Sequence, residues 1–62
     1  MKTICVYLNN AGNQALNIIN AIGKRIPMFF SWEPVEMNYI EVEIVARQED
    51  MATIENAIAG LV

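Results

Sequence analysis

Two glutamates two positions apart, Glu41 and Glu43, are the best-spaced chemical pair in this 62-residue chain. In a strand, side chains two positions apart share a face and stand about 7 Å from each other. Carboxylates at that distance can bind a cation or divide general acid and base work. A solvated sheet face carries the same pattern. The rest of the catalytic inventory is thin. The chain has no histidine, and therefore no imidazole base. Its one cysteine, Cys5, sits in an alternating run with no basic neighbour to lower its pKa, and reads as a small strand residue. Ser31 has no base partner in the sequence. Glu33, Glu36, Glu49 and Asp50 fall in expected turns, where acids are ordinary. Without histidine or a cysteine pair, no zinc site is expected. No catalytic residue, metal or cofactor is assigned, and the chain is expected not to be an enzyme on its own.

The best candidate for a binding site is the segment Asn9, Asn10, Ala11, Gly12, Asn13 and Gln14, which ends at a helix start. Free backbone amides there can hold a carboxylate, and amide side chains can donate and accept toward a small polar ligand. A well-capped turn without a ligand has the same composition. Phe29, Phe30, Trp32 and Tyr39 have the π-faces that nucleic-acid bases stack on. With no basic residues around them, they read instead as core or interface groups.

These groups must be positioned by a short list of elements. Residues 3–8 alternate, with Ile4, Val6 and Leu8 on the expected helix-covered face and Thr3, Cys5 and Tyr7 on the other. Residues 13–24 form a helix with Ala15, Ile18, Ile19 and Ile22 on one stripe, capped by Asn10 or Asn13. Pro27 disfavours helical geometry at Ile26 and stops the helix. Residues 28–32 read as a strand and residues 33–38 as a connection. Pro34 marks either the end of that strand or a sheet edge. Residues 39–46 alternate, with Ile40, Val42 and Ile44 inward and Tyr39, Glu41 and Glu43 outward. Asp50 is the expected N-cap of a helix over residues 50–61 that buries Met51, Ile54, Ile58 and Leu61.

The expected fold class is α+β: an antiparallel sheet with both helices on one face, in the βαββα(β) order of ferredoxin-like folds. A right-handed crossover leaves room for one strand between the first two, so the first and third strands are adjacent. The fourth strand that would flank the first is missing. The outer edge of residues 3–8 is then open to another strand.

Composition sets the outer limits. One domain, residues 1–62, is expected, and a core this small calls for help from a partner. The chain is 55% hydrophobic, so some apolar surface is expected to meet another surface. Net charge is −3, and Lys2, Lys24, Arg25 and Arg47 form no cluster, which argues against nucleic acid. No apolar stretch approaches the ~20 residues of a membrane helix. No signal peptide is expected, and a lone thiol fits the reducing cytoplasm.

The runs ALNIINAIGKRIPMFFSW and YIEVEIVARQEDMATIENAIAGL together resemble the ACT domain, especially the type at the C-terminal end of aspartokinases. Both show a helix of small and aliphatic residues ending in polar ones, an Ile-centred strand start, a strand closing near Ser31, an alternating strand and an acidic turn opening a helix. Ala11 stands where the family often has proline, and Arg25 and Pro27 flank Ile26 where it often has asparagine. The resemblance implies a non-catalytic, allosteric module of an amino-acid biosynthetic kinase, or a stand-alone relative. Such a module pairs into a homodimer or with parent-enzyme subunits and binds an amino-acid effector at the pair's interface. The ligand residues it implies are Asn9, Asn10, Ala11, Gly12, Asn13 and Gln14, facing Ile26 and Met28 of a partner. Cys5, Tyr7, Phe29 and Phe30 are the expected interface. The rival reading is a small acidic interaction protein, such as an inhibitor, that occupies a partner through its open strand edge or its aromatic residues.

Overall fold

The computed structural model describes residues 1–62. In chain order it contains β1 (Lys2–Asn9), a 3-10 turn (Ala11–Asn13), α1 (Gln14–Gly23), β2 (Met28–Glu36), β3 (Tyr39–Ala46), a second 3-10 turn (Gln48–Asp50), α2 (Met51–Ile58) and a closing 3-10 turn (Ala59–Leu61). This is a small α+β fold with one three-stranded antiparallel sheet in the order β1-β3-β2. β3 fills the gap between β1 and β2, which α1 connects. β1 and β2 each keep one unpaired edge.

Alternation decides which face of the sheet is covered. Leu8, Ile40, Val42, Ile44 and Ala46 are buried, and Ile4, Val6, Met28 and Phe30 pack half-buried against them. α1 adds Ala15 and Ile19. α2 and the turn after it add Met51, Ile54, Ile58 and Leu61. All eleven buried residues form one cluster, so both helices lie on the same side of the sheet. Each fully buried aliphatic side chain contributes about 1.5–3 kcal/mol relative to exposure. The opposite side of the sheet has no layer over it.

Three local expectations are corrected. The connection expected over residues 33–38 is mostly strand: β2 runs on to Glu36, and only Met37 and Asn38 turn the chain into β3. Pro34 is tolerated because β2 is an edge strand. The register slips between Pro34 and Glu36, leaving Val35 as a bulged residue. Second, Asp50 occupies the N-cap position of α2, but its side chain bonds no helix amide. It instead accepts from Arg47 Nε at 2.8 Å. Third, α1 begins at Gln14, because Gly12 and Asn13 are both left-handed, with φ of 62° each.

Those two left-handed residues let the chain turn from β1 into α1 without a longer loop. Glycine pays no steric penalty there, and asparagine pays less than most residues. Nothing lies within 4 Å of where a Gly12 Cβ would stand, so the demand is on backbone conformation alone. Gly12→Ala is therefore expected to destabilise the fold by about 1–2 kcal/mol. Met37 is the converse case, a 95% exposed side chain at φ 48°. Met37→Gly is expected to stabilise by somewhat less, since glycine also frees the unfolded chain. Urea denaturation midpoints moving in opposite directions would establish both.

Candidate functional site

The uncovered sheet face is a grid set by strand register. Thr3, Val45 and Phe29 lie across from one another in one row, and Cys5, Glu43 and Ser31 in the next. Tyr7, Glu41 and Glu33 form the third row. Beyond the bulge, Asn9, Tyr39 and Glu36 form the fourth. The bulge matters here, because it returns Glu36 to the same face as Glu33. Four of these twelve positions are acidic and three are aromatic. None is basic.

Apart from Phe30, which packs against the core, the aromatic groups stay outside it, and Trp32 is exposed. Phe29 is 72% exposed, and Tyr7 and Tyr39 are also exposed. Phe30, expected beside Phe29 at an interface, lies on the helix side of the sheet, across from Ile44. A shallow concavity of about 360 Å³ is lined by Cys5, Ser31, Trp32, Glu33, Glu41 and Glu43. Glu33 and Glu41 sit directly opposite each other, where like charges repel.

The negative field acts on its neighbours. Partial loss of water, then the Glu41 and Glu43 carboxylates, push the Cys5 thiol above its ordinary pKa. Tyr7 is raised chiefly by Glu41, first as an acceptor for the phenol and then as a charge. A raised pKa means less thiolate near neutral pH, the reverse of an activated nucleophile. Cys5 is expected to react with iodoacetamide at pH 8 more slowly than a free cysteine peptide. Glu41→Gln should accelerate it, as followed by mass spectrometry. Both raised groups hold their protons more tightly when folded. The stability they contribute is present below their unfolded pKa values and is lost as alkaline pH passes through the folded ones.

The loop after β1 is organised mostly for itself. Asn10 Oδ1 accepts from the Leu16 amide at 3.1 Å, which makes Asn10 the effective cap of α1. Asn13 holds the N-cap position without a side-chain bond. Asn9 Oδ1 accepts from the Ala11 amide at 3.0 Å, and the Asn10 carbonyl accepts from the Asn13 amide at 2.8 Å. The Gln14 amide donates to the Ala11 carbonyl. The Asn10 amide reaches across to the Asn38 carbonyl at 2.7 Å, tying the loop to the β2–β3 turn. Ile26 and Met28 are elsewhere: Met28 pairs with Ala46, at the far end of the sheet from Asn9 and Tyr39. Only a second chain could bring the loop and that segment into one pocket.

Glu41, Glu43, Cys5, Tyr7 and Phe29 are thus brought together. Sequence reasoning placed Glu33 and Glu36 in a turn and missed them. The signal was present for Glu33, which falls in phase with Phe29 and Ser31. No three His, Cys, Asp or Glu side chains converge where they could hold a metal ion. No helix is long and apolar enough to cross a membrane. Comparison with protein-family models, with curated proteins and with solved structures gives no match for this chain.

Proposed function

We propose that this chain is a non-catalytic pairing module of the ferredoxin-like, ACT-like kind, which forms a homodimer through the outer edge of β1. The observation that carries this reading is the difference between the two free edges. β2 is blunted by Pro34 and by the bulge at Val35. β1 has eight residues, no proline and no bulge, and its outer amides and carbonyls have no strand to pair with. Ile4 and Val6 are only half-buried beside that edge, so pairing would cover them further.

Charge supports an antiparallel arrangement. Lys2 stands at the end of the sheet where Lys2, Ala46 and Met28 align, Arg47 follows Ala46 there, and Arg25 precedes Met28 by three residues. Glu33, Glu36 and Glu41 lie toward the other end. Two-fold pairing of β1 with β1 sets the basic end of each copy beside the acidic end of the other. Residues directly opposite must share a face if both helix layers are to stay on one side. The two-fold axis therefore passes at Cys5 or at Val6. In the first register the two Cys5 Cα atoms stand about 4.5–5.5 Å apart, within disulfide reach.

Sedimentation equilibrium of the reduced protein in physiological salt, where the Debye length is about 8 Å, tests the pairing, and a purely monomeric profile at protein concentrations on the order of 100 μM rejects it. Mild oxidation then reads the register: a Cys5-linked dimer marks the axis at Cys5, and a dimer that stays unlinked marks it at Val6. The same interface would carry the regulatory use, with an amino-acid effector near Asn9, Asn10, Gly12 and Gln14 favouring one packing of the pair. Such an effector acts only through its difference in affinity between the two packings. Calorimetric titration with the common amino acids tests that part, and no heat from any of them removes it while leaving the pairing intact.

A further inference from the structure

The uncovered face is separate from the β1 edge, and the edge-pairing reading does not account for it. We infer that this face docks an arginine-bearing segment of another protein, with the guanidinium groups seated among Glu33, Glu41 and Glu43 and against the neighbouring aromatic rings. Charge complementarity selects the occupant. Glu33, Glu41 and Glu43 line one concavity, and none of the twelve grid positions supplies a cation to it. Arg47, the basic residue that follows β3, is engaged with Asp50. Lys2, Lys24 and Arg25 belong to the end of the sheet away from the Tyr7–Glu41–Glu33 row.

A second copy does not fit this face. Stacked sheets stand about 10 Å apart, and a two-fold stack would set the acidic rows of both copies against each other. Nucleic acid and anionic lipid carry the wrong sign. A cationic segment relieves the direct opposition of Glu33 and Glu41 and meets exposed aromatic faces in the same grid, Tyr7 across from Glu41 and Phe29 two positions from Ser31. Arginine suits this better than lysine. Its planar group accepts bidentate pairing to a carboxylate while stacking on a ring. Apolar residues alternating with the arginines would cover Val45, Cys5 and Phe29.

The test uses the full chain, isotope-labelled, titrated with a capped peptide of alternating arginine and valine and followed by amide chemical shifts. Shifts centred on Cys5, Tyr7, Ser31, Glu41 and Glu43 are expected, with affinity falling as salt is raised. A peptide of alternating glutamate and valine should produce none. The Glu41→Gln/Glu43→Gln double variant removes like-charge repulsion from a solvent-facing surface and should fold at least as well. It should bind the arginine peptide at least tenfold more weakly. No binding at millimolar peptide would overturn the assignment. So would shifts centred instead on Glu49, Asp50 and Glu55, equal affinity in the double variant, or shifts along the β1 edge that ignore peptide charge.

Discussion

Ile44→Ala is expected to leave the chain unfolded at 25 °C. Ile44 lies on the central strand, across from Ile4 on one side and Phe30 on the other, and is fully buried. Removing three carbons there costs the transfer energy of the lost atoms plus the cavity they leave, about 2–5 kcal/mol for an Ile→Ala change in a core. A single core of this size rarely holds more than about 3–5 kcal/mol in total. The loss is therefore comparable to the whole stability of the fold. The next residue is the control. Val45 faces the uncovered side and is only half-buried, so Val45→Ala should cost well under the core value. Far-UV circular dichroism with urea titration separates the two. A cooperative transition in Ile44→Ala within 1 kcal/mol of the parent would show that the helices are held by something other than this core.

The second large effect concerns association. Val6→Lys puts a charge on the helix side of β1, at the middle of the free edge. Inward-pointing lysines on edge strands are a common means of preventing strand addition. The long aliphatic stem can still lie along the apolar surface and send its ammonium out past the edge, so the monomer should fold. In the paired form that route is closed by the second copy. Self-association is expected to weaken by a factor of about 100 or more, consistent with a desolvated, unpaired ammonium costing several kcal/mol. Val35→Lys makes the matching change on the β2 edge, where the bulge and Pro34 already prevent pairing, and should leave association unchanged. If Val35→Lys dissociates the pair and Val6→Lys does not, the interface lies at β2 and the proposed arrangement is wrong.

Much of the fold is legible along the chain because burial here is a matter of local period. Residues 39–46 alternate so cleanly that Ile40, Val42 and Ile44 could be assigned inward and Glu41 and Glu43 outward, and the structure places them so. The stripe of Met51, Ile54, Ile58 and Leu61 was equally readable, since a helix repeats every 3.6 residues. β2 was harder. A proline and a run of acids imitate a loop in any local window. That the same residues form a strand depends on β3 lying beside them, and that the strand accepts Pro34 depends on its being at the edge.

The candidate surface divides the same way. By itself the sequence determined that the chain lacks histidine, that its single thiol has no partner within the chain, and that Glu41 and Glu43 share a face. These follow from residue identity and from the two-residue repeat of a strand. Tertiary structure alone decided that Glu33 stands opposite Glu41, that a bulge at Val35 returns Glu36 to their side, and that Asn10, not Asn13, caps α1. Each of these depends on register or on a contact between segments distant in the chain, and local side-chain period contains no information about either.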